Sequence, residues 1–162
     1  MGLVVAFWIL AVVAILAALS VVLLQNVFRA ALSLILCFAA VAGIFVTLSA
    51  DFLAAVQVLI YVGAIAVLII LAIMLTREVQ WGSPANKLRI PACIVAILFL
   101  GAVSFAMINT HWPVVSIPPQ EPTTSALAGK LFSKSGFILP LEIAPVLLLA
   151  AILGAIVLVR EK

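Results

Sequence analysis

Five long apolar runs, separated by polar stretches of which one is long, dominate the pattern of the chain. They cover about residues 3–24, 28–48, 52–76, 90–109 and 138–159. An α-helix rises 1.5 Å per residue, so about 20 apolar residues cross the roughly 30 Å hydrocarbon core of a bilayer. The pattern therefore predicts an all-α integral membrane protein, a single membrane domain of residues 1–162 with five transmembrane helices.

Composition supports the same class of protein. Hydrophobic residues make up 69% of the chain and charged residues 8%, and the mean hydropathy is +1.52. A soluble domain usually carries about 25% charged residues, so this chain cannot solvate a water-facing surface and its environment is the lipid bilayer. The net charge of +3 comes from scattered basic residues rather than from a patch, and we expect no nucleic-acid partner.

The third apolar run is interrupted by polar and small residues. Gln57 and Tyr61 are four residues apart and would share one face of an α-helix, with Gly63 and Ala64 in the next turn. An amide facing hydrocarbon without a partner costs several kcal/mol, on the order of 4 to 8. We therefore expect this face to contact protein rather than lipid.

The connections before this run are short enough for helical hairpins. In the turn of residues 49–51, Ser49 or Asp51 can cap the third helix, and the Asp51 carboxylate is also favoured by the helix dipole. On the second run, Ala39 and Gly43 form a small-xxx-small pair that predicts close helix approach.

A long loop of residues 110–137 precedes the last run. Its prolines predict an irregular or polyproline segment on the membrane surface. They are Pro113, Pro118, Pro119 and Pro122.

The distribution of basic residues predicts the orientation of the chain. With five spans, six of the eight basic residues lie on one side of the membrane, and only Lys130 and Lys134 lie on the other. The six are Arg29, Arg77, Lys87, Arg89, Arg160 and Lys162. Because short cytoplasmic loops are rich in Lys and Arg, we expect the N-terminus and the Pro-rich loop outside and the C-terminus in the cytoplasm.

Residues that could carry chemistry are few. The chain has one histidine, His111, in a loop, and two widely separated cysteines, Cys37 and Cys93, so no catalytic centre and no metal site is predicted. Glu142 lies about one turn into the last apolar run and three residues before Pro145. It can be an interfacial carboxylate satisfied by nearby N–H groups, or a group that relays protons or takes part in coupling.

Two segments resemble a known family. The run VQVLIYVGAIAVLIILAIML resembles the third transmembrane helix of subunit J of respiratory complex I, the family that also includes mitochondrial subunit 6 and its photosynthetic relatives. The run FSKSGFILPLEIAPVLLLAAILGAIVLVR is similar to the last span of that family, with Glu142 at its usual acidic position. Some relatives carry glutamate where this chain has Gln57, so a proton-carrying role is not expected at this position.

The resemblance implies a function that composition does not show. The chain would be a non-redox subunit in the membrane arm of the proton-pumping NADH:quinone oxidoreductase, beside subunits A, H, K and N. It would bind no cofactor itself, while NAD, FMN, iron–sulfur clusters and quinone are expected elsewhere in the complex. The expected membrane is the bacterial plasma membrane, or alternatively the thylakoid or mitochondrial inner membrane.

The resemblance also implies a role for the third helix. In relatives, this helix exchanges a π-bulge for regular α-helix and so opens or closes a hydrated route between the quinone site and the pumping subunits. Here the bulge is expected at Tyr61, Val62, Gly63 and Ala64. Gln57 and Tyr61 would then lie on the hydrated path, or they would simply hydrogen-bond to a neighbouring helix.

Two other classes of function are open to the same sequence. A small secondary transporter would need an ionisable residue near the middle of a span, and the five spans offer only Tyr61 there. A purely structural or assembly subunit would show the same small-residue interfaces. Perturbation of the third helix separates that class from a coupling subunit.

The orientation can be tested with single cysteines introduced at Ser116 and at Gln80. We expect a membrane-impermeant thiol reagent to label Ser116→Cys, and not Gln80→Cys, in intact cells, because the positive-inside rule places the polar connection with Gln80 in the cytoplasm. Labelling of Gln80→Cys alone from outside would show the opposite topology.

Overall fold

The computed structural model describes residues 1–76, 88–112, 123–133 and 136–159. Within these ranges the chain forms α-helices and one π-helical segment, and it contains no β-strand. The elements are α1 (Gly2–Leu23), α2 (Val27–Thr47), α3 (Asp51–Val56), the π segment (Gln57–Ile65), α4 (Ala66–Leu75), α5 (Arg89–Asn109), α6 (Thr123–Phe132) and α7 (Ile138–Val159). We call the continuous helix of α3, the π segment and α4 the third span.

Five helical stretches are long and apolar enough to cross a membrane. They are Gly2–Leu23, Val27–Thr47, Asp51–Leu75, Ile90–Asn109 and Ile138–Val159. The prediction of an all-α membrane protein with five spans is thus confirmed.

Some sequence predictions fall outside the described residues. These are the predictions for Arg77, Gln80, Lys87, Lys134, Arg160 and Lys162, for Ser116 and for the four loop prolines, and the side chain of Arg89 is also outside. The orientation of the termini stays a prediction.

The centre of the bundle is α2, which packs against α1 on one side and against the whole third span on the other. The buried apolar residues of the described chain are all alanines: Ala17, Ala31, Ala40, Ala42, Ala54 and Ala66. Small residues let helix backbones approach closely, and in lipid this close packing replaces the hydrophobic driving force of soluble proteins. The first three spans therefore form a compact alanine-packed unit.

The closest approach of α1 and α2 is at Gly43. A Cβ atom placed there would lie 2.9 Å from Leu10 Cδ1 and 3.0 Å from Leu10 Cδ2, so the missing side chain makes room for the leucine. One and a half turns earlier, Cys37 Sγ donates to the carbonyl oxygen of Ala14 at 3.7 Å. The predicted close approach is confirmed at Gly43, whereas Ala39 is exposed and lies off this interface.

The turn between α2 and α3 differs from the prediction. Ala50 is the N-cap of α3 and no side chain caps it, so neither Ser49 nor Asp51 plays the capping role. Ser49 instead has a φ of 57°, with its N–H bonded to Val46 O at 3.0 Å and the Ala50 N–H bonded to Phe45 O at 2.9 Å. These two bonds form a Schellman motif, which satisfies the free carbonyls at the end of α2. Ser49 is the left-handed residue of this motif, so it acts through its backbone and does not cap α3 with its side chain. Asp51 remains in the first turn of α3, where the dipole favours it.

The interpretation of residues 110–137 as an irregular segment is wrong for its second half. Helix α6 begins directly after Pro122, because the residues Thr123–Phe132 contain no proline and include good helix formers such as alanine and leucine. The Thr123 hydroxyl lies 3.4 Å from Ser49 O, so α6 contacts the α2–α3 turn. The Phe137 N–H donates to Lys130 O at 3.1 Å and connects the end of α6 to α7.

Helices α5 and α7 are exposed on all sides within this chain. The most apolar part of each of these two spans contains no buried residue, and the main contacts of α7 are with α6. A helix that is apolar all round is stable only where lipid or other protein surrounds it. These two spans therefore need a surrounding that the other three do not supply.

The contact of Gly43 with Leu10 generates a stability prediction. Gly43→Val should weaken the α1–α2 interface by about 1 to 3 kcal/mol, because the added methyl groups overlap a leucine in a tightly packed pair. The measurement is the temperature at which the chain is lost from its native assembly on a native gel. Gly154→Val is the matched control, since a Cβ at Gly154 meets nothing within 4 Å.

A second substitution makes this test specific to the pair. Leu10→Ala removes the atoms that Gly43→Val overlaps, so the double variant should recover part of the loss caused by Gly43→Val alone. Purely additive losses in the double variant would show that the two residues do not share this contact.

Candidate functional site

The π segment lies in the middle of the third span. It is continuous with α3 before it and α4 after it, and the Ala66 N–H bonds to Tyr61 O, five residues back, instead of the usual four. At the other end, the Gln57 N–H is shared between Leu53 O and Ala54 O. A backbone group cannot stay unpaired in hydrocarbon, and these bonds pair the groups at both ends of the π segment. The helix can therefore pass from α to π winding and back along its length within the membrane.

The π segment covers more of the chain than the sequence predicted. The expected positions Tyr61, Val62, Gly63 and Ala64 all lie within it, but it begins four residues earlier, at Gln57. β-Branched residues, which fit an α-helix less well, recur through this stretch, and glycine adds backbone freedom. A wide π turn inside an otherwise regular helix often marks a functional site.

Gly63 has no close neighbour from another helix of the described chain. It is exposed, and the only atom that a Cβ there would meet among the described residues is the Val58 carbonyl oxygen, at 3.4 Å, an ordinary contact distance. Within the described part of this chain no other helix packs on Gly63, so the expectation that this face contacts protein stays a prediction about neighbouring subunits. Gly63 contributes conformational freedom to the backbone. It lies five residues, or one π turn, after Val58.

Gln57 is the buried polar residue of the described structure, with 8% of its surface exposed. It lies at the first position of the π segment, which packs against α2. No hydrogen bond from another described residue reaches its amide, and no fully buried side-chain nitrogen or oxygen in the described part lacks a partner. The amide therefore keeps a little accessible surface, through which a water molecule or another subunit can reach it.

Tyr61 lies one turn further and has an aromatic partner. Its ring packs edge-on against Phe38 of α2, with ring centroids 5.4 Å apart and planes inclined by 70°. An aromatic pair in this geometry is worth about 0.5 to 1.5 kcal/mol. The contact fixes the ring, while 42% of the Tyr61 surface remains exposed.

Phe38 is a site residue that the sequence analysis missed. It lies eleven residues before Ser49, and Tyr61 lies eleven residues after Ala50, so an antiparallel hairpin with this turn brings the two to the same level. The equal spacing from the turn is the signal that could have identified the pair.

The predicted shared face is only partly present. Gln57 is buried and Tyr61 contacts α2, as a protein-facing surface requires, but Gly63 and Ala64 are exposed. The prediction used the α-helical period, whereas a π turn holds one more residue in each hydrogen-bonded ring. The next buried residue of the third span after Gln57 is therefore Ala66, which is 2% exposed.

The two carboxylates lie away from this segment. Asp51 is exposed at the start of α3, six residues before Gln57. Glu142 is exposed on α7, whose main contacts are with α6. The structure thus joins Gln57, Tyr61 and Phe38 into one site and leaves Asp51 and Glu142 outside it.

The side chains at this site are an amide, a phenol and apolar groups. In the described ranges, no three His, Cys, Asp or Glu side chains come together as a metal site would require. The arrangement can hold or release water beside Gln57 and Tyr61, and it can change helical winding.

Known proteins similar to this chain share its length as well as its sequence. Residues 17–158 match the model of the family described as NADH-ubiquinone/plastoquinone oxidoreductase chain 6. The F(420)H(2) dehydrogenase subunit J of Methanosarcina mazei is 38% identical over 158 residues, which are 96% of this chain and 90% of that protein.

Photosynthetic relatives are equally similar. The NAD(P)H-quinone oxidoreductase chain 6 of Synechocystis sp. is 42% identical over 160 residues, which are 97% of this chain and 80% of that protein. The chloroplastic NAD(P)H-quinone oxidoreductase subunit 6 of Adiantum capillus-veneris is 40% identical over 158 residues, covering 91% and 79%. With nearly full-length similarity to both groups, the chain belongs to the NADH-ubiquinone/plastoquinone oxidoreductase chain 6 family.

Proposed function

We propose that this chain is a non-redox membrane subunit of a proton-pumping quinone oxidoreductase and couples quinone reduction to proton translocation through the π segment. Its relatives are named as subunits of NAD(P)H-quinone oxidoreductases and of an F(420)H(2) dehydrogenase. The observation that carries the coupling role is the π segment itself, placed mid-membrane with Gln57 and Tyr61 in it.

The proposed device is a change of winding between π and α. Removing one residue from a helix rotates the parts before and after it by about 100° relative to each other. If α4 stays fixed, conversion of the π segment turns Gln57 and α3 away from their present positions against α2. Water molecules would then be able to bind beside Gln57 and Tyr61 in one form of the helix and not in the other. A proton route through this part of the membrane would open or close accordingly.

The partners in this proposal are subunits A, H, K and N of the membrane arm, which would surround the exposed helices α5 and α7. NAD, FMN, iron–sulfur clusters and quinone would be bound by other subunits, and none by this chain. The assembly would lie in the bacterial plasma membrane or in a thylakoid or mitochondrial inner membrane.

A purely structural role is the second candidate, and the exposure of α5 and α7 supports it. Helices apolar on every side suit a subunit that fills space between neighbours. Such a subunit would depend on packing at its surface, and its winding in the π segment would have no effect on turnover.

The substitution Gly63→Val separates the two candidates. It adds a β-branched side chain beside the Val58 carbonyl and removes glycine's freedom, a change of about 1 kcal/mol that should fall unequally on the π and α forms. Within this chain the added side chain meets only the Val58 carbonyl oxygen, so its effect inside the chain falls on the winding. We expect an assembled complex that retains its redox cofactors but has impaired quinone reduction and proton pumping.

The measurements are a native gel, quinone reduction with the donor that the native complex uses, and proton translocation in membranes. Gly101→Val is the matched control, because Gly101 lies in α5 and a Cβ there meets nothing within 4 Å. Normal coupled turnover in an assembled Gly63→Val complex would exclude the switch. Failed assembly of Gly63→Val alone would favour the structural role.

Replacement of Glu142 tests whether the last span also takes part. Glu142→Gln keeps the shape and much of the hydrogen bonding but removes the charge. We expect assembly to survive with a modest loss of quinone reductase activity, well below the roughly 100-fold loss typical of an essential proton-transfer group. Asp51→Asn serves as the control for removal of an exposed carboxylate, and complete loss of the complex in Glu142→Gln would indicate a structural ion pair instead.

A further inference from the structure

A cavity of about 260 Å³ lies between the first turn of α2 and the last turn of α4. Its lining is Asn26, Phe28 and Arg29 from the start of α2, with Ile73 and Met74 from the end of α4. This volume is slightly below the roughly 300–1,000 Å³ of typical small-molecule sites, so the cavity suits a small group rather than a whole lipid.

The polar groups of this cavity are hydrogen-bond donors. The Asn26 side-chain oxygen already accepts a bond from the Arg29 N–H at 3.1 Å, which leaves the amide NH₂ group to point donors elsewhere. The guanidinium of Arg29 offers five further donors and a fixed positive charge. Among the described residues that line the cavity there is no carboxylate. This combination favours an anionic oxygen ligand, above all a phosphate.

The other side of the cavity is apolar and open to the bilayer. Met74 is 63% exposed and Phe28 is 40% exposed, and both continue the lipid-facing surface of their helices. The cavity lies at the ends of two spans, α2 beginning at Val27 and α4 ending at Leu75, which is the level of the lipid headgroups. A ligand here meets donors at its anionic end and hydrocarbon contacts along its remainder.

From this arrangement we infer that the cavity binds the headgroup of an anionic phospholipid, with the phosphate on Arg29 and Asn26 and the start of an acyl chain on Phe28 and Met74. The lipid would join the beginning of α2 to the end of the third span. This end of the bundle is also the one predicted to face the cytoplasm, where the leaflet is richer in anionic lipid.

The test places the photoreactive residue p-benzoylphenylalanine at Phe28 in the assembled complex. The complex is reconstituted in nanodiscs of equimolar phosphatidylglycerol and phosphatidylcholine, irradiated, and the lipid adducts of the chain are identified by mass spectrometry. One basic residue near anionic lipid is worth about 1 kcal/mol, which corresponds to an adduct ratio of about five to one in favour of phosphatidylglycerol.

Variants of the two described basic side chains identify the source of the selectivity. Arg29→Gln should bring the ratio back to that of the bulk lipid, and Arg29→Lys should keep most of the preference because the charge remains. Lys130→Gln is the matched control, since Lys130 is an exposed basic residue on α6, and it should leave the ratio unchanged.

Three results would overturn the inference. The first is an adduct ratio equal to the bulk ratio in the unaltered complex, and the second is a preference that survives Arg29→Gln. The third is a lipid ratio that stays at the bulk value while added inorganic phosphate lowers the total yield of lipid adducts, which would identify free phosphate as the ligand of Arg29 and Asn26. The first and third arms use the unaltered arginine, so they decide the question even if Arg29→Gln fails to assemble.

Discussion

Close packing through alanine is the constraint on which the rest of the structure depends. In a bilayer, helices gain little from burying apolar surface, because lipid is as apolar as a leucine side chain. The described core therefore consists of alanines, with Gly43 admitting Leu10 at the narrowest point. This packing fixes α2 against both of its neighbours and gives the third span a rigid wall on one side. A change of helical winding needs such a wall, because only against a fixed reference can a rotation expose or hide a side chain.

The π segment places the polar residues at the edge of this packed unit. Gln57 is buried while its amide keeps some access, and Tyr61 rests on Phe38 with much of its surface free. An amide fully enclosed in apolar packing would be costly without a partner, and one fully in lipid would be equally costly. The position between the two suits groups that are hydrated in one state and packed in another. The ring contact with Phe38 is worth only about 0.5 to 1.5 kcal/mol, small enough to break and re-form in the proposed switch.

The sequence predicts the spans well because span length and hydropathy depend on the bilayer rather than on neighbouring residues. The sequence also predicts which residues lie opposite each other in each helical hairpin, because such residues are equally distant from the turn. Cys37 and Ala14 are equally far from the first turn, and Phe38 and Tyr61 are equally far from the second. The rotation of each helix is not encoded in this way. Gly63 and Ala64 are exposed because the π winding shifts the inward line towards Ala66. Ser49 departs from its predicted capping role for a similar reason: the carbonyls at the end of α2 recruit it as the left-handed residue of a Schellman turn. Helix α6 was missed because the prolines before it dominate the composition of the loop.

The arrangement of helices also bears on the proposed coupling role of the third span. The third span has one side held by α2 and another side, with Gly63 and Ala64, that the chain itself does not cover. Its two ends have different surroundings: Thr123 of α6 contacts the turn before α3, while a cavity beside Arg29 adjoins the end of α4. A movement of a neighbouring subunit against the uncovered side would therefore act on the one part of the span whose winding is already irregular. In the proposed switch, a shift of one residue within the π segment would change the surroundings of Gln57 and Tyr61 together, because both lie in it.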